Sequence, residues 1–159
     1  MVYGIIDRYS MRAYTYLSGI FRAIGGRQKE YNWLITDAQI AAQSEALNLL
    51  SDGLPHFLSG GELTELACKD DGQWLFGVLS GFEKTIPPET ILRFPLPYAD
   101  GNPHFWVNPI SLQHPLASVE IVPWDGTQVL LLSRRKELAD SFRNAFPRCE
   151  DLKAHNDAL

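Results

Sequence analysis

Catalytic signatures are missing from this chain. It has no G-x-S-x-G nucleophile elbow, no P-loop and no G-x-G-x-x-G turn, and no two histidines stand at i, i+4. Leu79-Ser80-Gly81-Phe82 comes nearest to the elbow and lacks its first glycine. The glycine pairs at 25–26 and 60–61 read instead as a helix terminator and as a flexible lead into a helix. Cysteine is scarce: Cys68 and Cys149 allow one bridge but make no disulfide framework, so two reduced thiols are the plainer expectation. No apolar run nears the ~20 residues that span a bilayer. The opening MVYGIIDRYS lacks the basic-then-apolar order of a secretion signal. A soluble, cytoplasmic protein without a cofactor or a membrane partner is expected.

Positive charge is scarce in the middle of the chain. Residues 31–133 hold 12 Asp+Glu against 3 Lys+Arg, a net of −9, and all four tryptophans. The flanks carry 7 Asp+Glu against 11 Lys+Arg, a net of +4. With a pI near 5.3, nucleic acid is a poor partner and a basic protein a better one. At 159 residues, 45% hydrophobic and 21% charged, the chain is long enough to bury a core and far from the disordered regime.

The patterning predicts an α+β domain over 1–149, with a mainly antiparallel sheet, helices packed on it and a closing hairpin followed by a helix. Residues 150–159 read as a polar, frayed tail. Val2–Ile6 is a candidate first strand. Tyr14, Leu17, Phe21 and Ile24 then recur on one helical face before Gly25-Gly26. Tyr31–Thr36 reads as a strand, 37–50 as a loosely patterned helix capped by Asp37, and 51–58 as a loop. Ser59-Gly-Gly-Glu62 fits a capping box opening a helix to Asp70. Its inner face is Leu63, Leu66 and Ala67, and its outer face Glu62, Glu65 and Lys69. Gln73–Phe82 is near-continuously apolar, as in a strand covered on both faces. Seven of the ten prolines fall between Pro87 and Pro115, so that segment is irregular, with only 104–107 resembling an edge strand. Asp125-Gly126 between two strand-like runs signals a hairpin. A helix over 134–146 follows, stopped by Pro147.

Few residues suggest chemistry. His104 and His114 share the proline-rich segment, and with Asp100 as orienter they make a candidate acid–base pocket. Metal ligation needs three or four convergent groups, and the spacing offers none. Cys68, near a helix end, reads as a small, partly buried core residue. Arg134-Arg135-Lys136 opposes a helix dipole unless the arginines precede the helix and are solvated, the plainer reading. Asp52, Glu62, Glu65, Asp70 and Asp71 fall within twenty residues opposed only by Lys69. They are the candidate partner-binding residues: charge steers association and a few buried aromatics hold it. Trp33 and Trp74 lie in apolar patterns and read as core. Trp106 and Trp124 stand beside turns or prolines, and Trp106 is the preferred anchor. The expected state is a monomer or a weak homodimer pairing through 104–107.

In general type the chain resembles the immunity proteins of bacterial toxin systems, such as those of contact-dependent growth inhibition. The resemblance rests on Tyr31-Asn-Trp-Leu-Ile-Thr, on Gln73-Trp-Leu-Phe-Gly-Val-Leu-Ser-Gly-Phe, and on Val119-Glu-Ile-Val-Pro-Trp-Asp-Gly followed by a helix. Immunity proteins share no common motif, so no functional residue carries over. The resemblance implies a stoichiometric inhibitor of a toxic, basic, nuclease-type protein.

Overall fold

The computed structural model describes residues 1–8 and 16–159. Tyr14, expected on the first helix, lies outside them. The strands are β1 (Tyr3–Asp7), β2 (Tyr31–Ala41), β3 (His56–Ser59), β4 (Gln73–Glu83), β5 (Val119–Trp124), β6 (Gln128–Ser133) and β7 (Glu150–Asp151). They form one sheet in the order β3-β2-β4-β5-β6-β1-β7, every pairing antiparallel. The helices are α1 (Leu17–Ala23), α2 (Glu45–Asn48), α3 (Gly60–Lys69), α4 (Pro88–Ile91), α5 (Lys136–Ala145) and α6 (Leu152–Asp157). The fold is α+β. None of these helices is long and apolar enough to cross a membrane.

Strand side chains alternate between the faces of a sheet. Ile5, Trp33, Ile35, Leu79, Ile121 and Leu131 therefore meet α1, α3 and α5 on one side. Ile6, Leu34, Val78, Val122 and Leu130 meet the proline-rich segment and α6 on the other. Both faces are covered, which explains why these strands read as unbroken apolar runs.

Local signals account for several elements. Ser59 Oγ accepts from Glu62 N at 3.0 Å while Ser59 N donates to Glu62 Oε1 at 2.9 Å, closing the capping box of α3. Ser59→Ala is expected to cost about 1 kcal/mol, read as a lower urea midpoint at unchanged m-value. Asp125 and Gly126 take φ of 53° and 66°, the left-handed pair at the centre of the tight turn that Thr127 N closes on Trp124 O at 3.2 Å. Leu138 and Phe142 of α5 are buried, and Phe146 packs against the same core. Gly26 N reaches back to Phe21 O at 2.9 Å and ends α1.

Four expectations change. Residues 37–41 are not helical: β2 continues through them, and pairing with β4 overrides their Ala/Gln composition. The register shifts beside Asp37, whose φ of 51° marks the irregularity. Asp37 caps no helix; its Oδ2 accepts from Ala99 N (2.9 Å) and Asp100 N (3.0 Å). Residues 56–59 are the edge strand β3 rather than loop. Residues 103–106 form a 3-10 turn, with Asn102 accepting from His104 N, so no edge strand exists there for a dimer to pair. The 150–159 tail is not frayed: β7 pairs with β1, Asp151 caps α6 at Ala154 N, and Leu152 is fully buried.

Candidate functional site

Helix α3 crosses the sheet face that also carries α1 and α5. Leu63 and Ala67 turn inward and Glu62, Glu65 and Lys69 outward, as the 3.6-residue period dictates. Glu65 and Lys69 pair at 3.1 Å, both well exposed. Such a pair stabilises the helix by about 0.5 kcal/mol at most. Beyond the helix end, Asp70 Oδ2 accepts from Ser44 N at 2.7 Å, tying in the start of α2. Asp71 accepts from the Ser18 hydroxyl and backbone, tying in α1. Asp52 accepts from Leu54 N (2.9 Å) and meets His56 Nε2 at 2.7 Å.

These bonds favour the charged carboxylates. The Ser59 backbone holds Glu62 below its ordinary value, Ser44 does the same for Asp70, and His56 for Asp52. Glu62, Asp70, Asp71 and Asp52 are therefore fixed in place by short-range bonds, whereas Glu65 stays on the solvated helix face beside Lys69. Four carboxylates, Glu62, Glu65, Asp70 and Asp71, run along one helix and its exit.

Trp106 does not join them. It is half-buried in the core of the opposite sheet face, edge-on to Trp124 at 5.0 Å and tilted over His155 at 5.8 Å. Trp33 and Trp74 are core, as expected. Cys68 is exposed, not partly buried, and Cys149 is half-buried; both are free thiols.

The histidines are also set apart. The His104 side is exposed, whereas His114 is fully buried between Phe82 (4.8 Å) and Phe94 (5.1 Å). His114 Nδ1 accepts from Leu116 N at 3.1 Å, so Nε2 carries the proton and donates to Ile91 O at 2.9 Å. Burial holds its pKa down. With both ring nitrogens engaged it has nothing left for a substrate. Asp100 accepts from Gln39 at 3.0 Å, not from a histidine. Among the described residues no group of three His, Cys, Asp or Glu could hold a metal.

A buried acid went unnoticed in the sequence. Glu120 lies on β5 with no exposed surface. Its Oε1 accepts from Gln113 N (2.5 Å), and its Oε2 from His114 N (3.0 Å) and Ser80 Oγ (2.9 Å). Arg134 clamps the same turn from outside, donating to Ala117 O (3.0 Å) and Pro115 O (3.3 Å). Arg135 donates to Glu30 and to the Tyr31 hydroxyl. Both arginines precede α5, as expected, but they are fastened rather than simply solvated. Glu120 is one acid within the apolar run Val119-Glu-Ile-Val, and that isolation was its visible signal.

Comparison with protein-family models, with curated proteins and with solved structures finds no match.

Proposed function

We propose that the chain is a binding protein that captures and neutralises a basic partner, in the manner of a toxin-immunity protein. One observation carries this reading: the row of carboxylates along α3 and its exit, three of them fixed by local hydrogen bonds. Charges already held in place, as at Glu62, Asp70 and Asp71, lose little side-chain entropy on binding, and a row that is mostly negative, with Lys69 its one cation, steers an oppositely charged protein. The partner-facing residues are then Glu62, Glu65, Asp70 and Asp71, with Asp52 at the border beside β3 and Trp106 left out.

Glu65 is the discriminating position, because Glu62 also caps the helix and Asp70 and Asp71 brace neighbouring elements. Glu65→Lys is expected to slow association several-fold while leaving dissociation and the urea midpoint nearly unchanged. Raising salt should mimic it. The wild-type chain mixed with a basic toxin encoded beside its gene should co-elute with it in gel filtration. Separate elution, together with no protection of cells from that toxin, would sink the reading.

A further inference from the structure

The segment that covers the second sheet face hangs on few polar attachments. Among the described residues, no backbone–backbone hydrogen bond joins residues 103–116 to a strand. The Glu120 carboxyl stands in for a neighbouring strand there, taking the Gln113 and His114 N–H groups, while β4 contributes the Ser80 hydroxyl. On either side the chain is anchored separately. Asn108 donates to Lys153 O and to Asp157 Oδ1 of α6. Ser118 N donates to Gly81 O at 2.8 Å, and Arg134 holds Ala117 O. Residues 112–116 are thus a short span between two fixed ends, fastened at its middle.

A neutral carboxyl suits this site. It can donate its proton to the Ser80 hydroxyl while its oxygens still accept from the two N–H groups. An ionised one does not suit it. With no exposed surface it lacks the water that a carboxylate needs, and burial pushes its pKa up to about 7 against the pull of its donors and of Arg134. The charged and titratable groups that face it are Arg134 from the end of β6 and His114 from the span itself. Hydrating the carboxylate by releasing β5 would break the sheet. Freeing the span gives up only the burial of Leu112, the His114 ring and their near neighbours.

We propose that Glu120 is a proton-operated latch: neutral, it fastens residues 112–116 to the sheet, and ionised, it lets them lift and admits water to the carboxylate. Lifting draws the His114 ring from between Phe82 and Phe94 and uncovers that apolar floor. Acid releases the span by another route. Once His114 is protonated, its Nδ1–H opposes the Leu116 N–H from which Nδ1 now accepts. The span is therefore closed only between the two titrations. Helix α3 and its carboxylates take no part, so the latch is independent of the partner proposed above.

Amide hydrogen exchange of the whole chain between pH 6.5 and 8.5, corrected for the intrinsic rate, tests the latch. The Gln113 and His114 amides are expected to exchange by local opening, less protected than those of Leu130, Leu131 and Leu132 by at least about tenfold. Their protection should fall about tenfold per pH unit above 7. In Glu120→Gln, which keeps an acceptor and cannot ionise, that fall should vanish. Equal protection of the span and of β6 throughout, a span whose protection ignores pH in the native chain, or the same fall in Glu120→Gln overturns the proposal. The first two comparisons need only the native chain, so they decide the matter even if Glu120→Gln fails to fold.

Discussion

Glu120→Ala is expected to destabilise the chain by about 4 kcal/mol, because it strips the acceptor from two buried backbone N–H groups and a buried hydroxyl at once. The Gln113–His114 turn would lose its attachment to the sheet. With it would loosen the bond from His114 to Ile91 that holds α4. Thermal and urea unfolding both read this loss directly.

The same carboxyl gives the effect a pH signature. Burial pushes Glu120 up to about 7, against the pull of its three donors and of Arg134. Its ordinary value is near 4.5. As pH rises through that window the unfolded chain gives up the proton first, so the folded state holds more protons and stability falls. The full span amounts to about 3 kcal/mol. Glu120→Gln keeps the shape and an acceptor but cannot ionise. The wild-type chain should therefore gain stability relative to Glu120→Gln as pH falls from about 7 towards 4.5. His114 works in the opposite sense. Its folded pKa is lowered, so the stability it gives above 6.5 is lost on acidification. The difference between the two proteins cancels the histidine and isolates Glu120. A flat difference between pH 5 and pH 8 would show that the carboxyl titrates normally.

Gly60→Ala should be the other severe change, at about 3 kcal/mol. A Cβ there would stand 2.1 Å from Gln28 O, 2.6 Å from Lys29 Cα and 2.8 Å from Tyr31 O. All three are backbone atoms, so no rotamer change relieves the contact, and α3 must back away from the 27–30 turn. Gly61→Ala makes a matched control, since its nearest neighbour would be Ser59 Oγ at 3.9 Å. A urea midpoint for Gly60→Ala close to that of Gly61→Ala would refute the crowding argument.

Where a signal is local, the sequence already carried it. Ser59 and Glu62 bond each other across three residues, and Asp125-Gly126 needs only its own backbone to turn. Strand β4 announces itself because both faces are covered. What escaped notice depends on partners far along the chain. Ala38–Ala41 are extended because β4 lies beside them. Glu150 and Asp151 are a strand because β1 offers an open edge, and Leu152 is ordered by what it covers. His104–Trp106 follow their cap, Asn102, rather than their aromatic composition. The acidic candidates were visible as charge, but their hydrogen bonds to Ser18, Ser44 and Ser59 were visible only for the capping box. Trp106 was legible as an aromatic and not as one facing away from α3.

The sheet order has a consequence for the chain as it is made. Strand β1 has only β6 and β7 for neighbours, with Tyr3 opposite Ser133 and Ile6 opposite Glu150. Strand β1 thus has no place in the sheet until β6 and β7, far along the chain, have been made. Such distant closures fold slowly. An apolar Ile5-Ile6 pair must wait while everything between β1 and β6 is synthesised, and the nascent chain is most open to aggregation, or to a chaperone, during that interval.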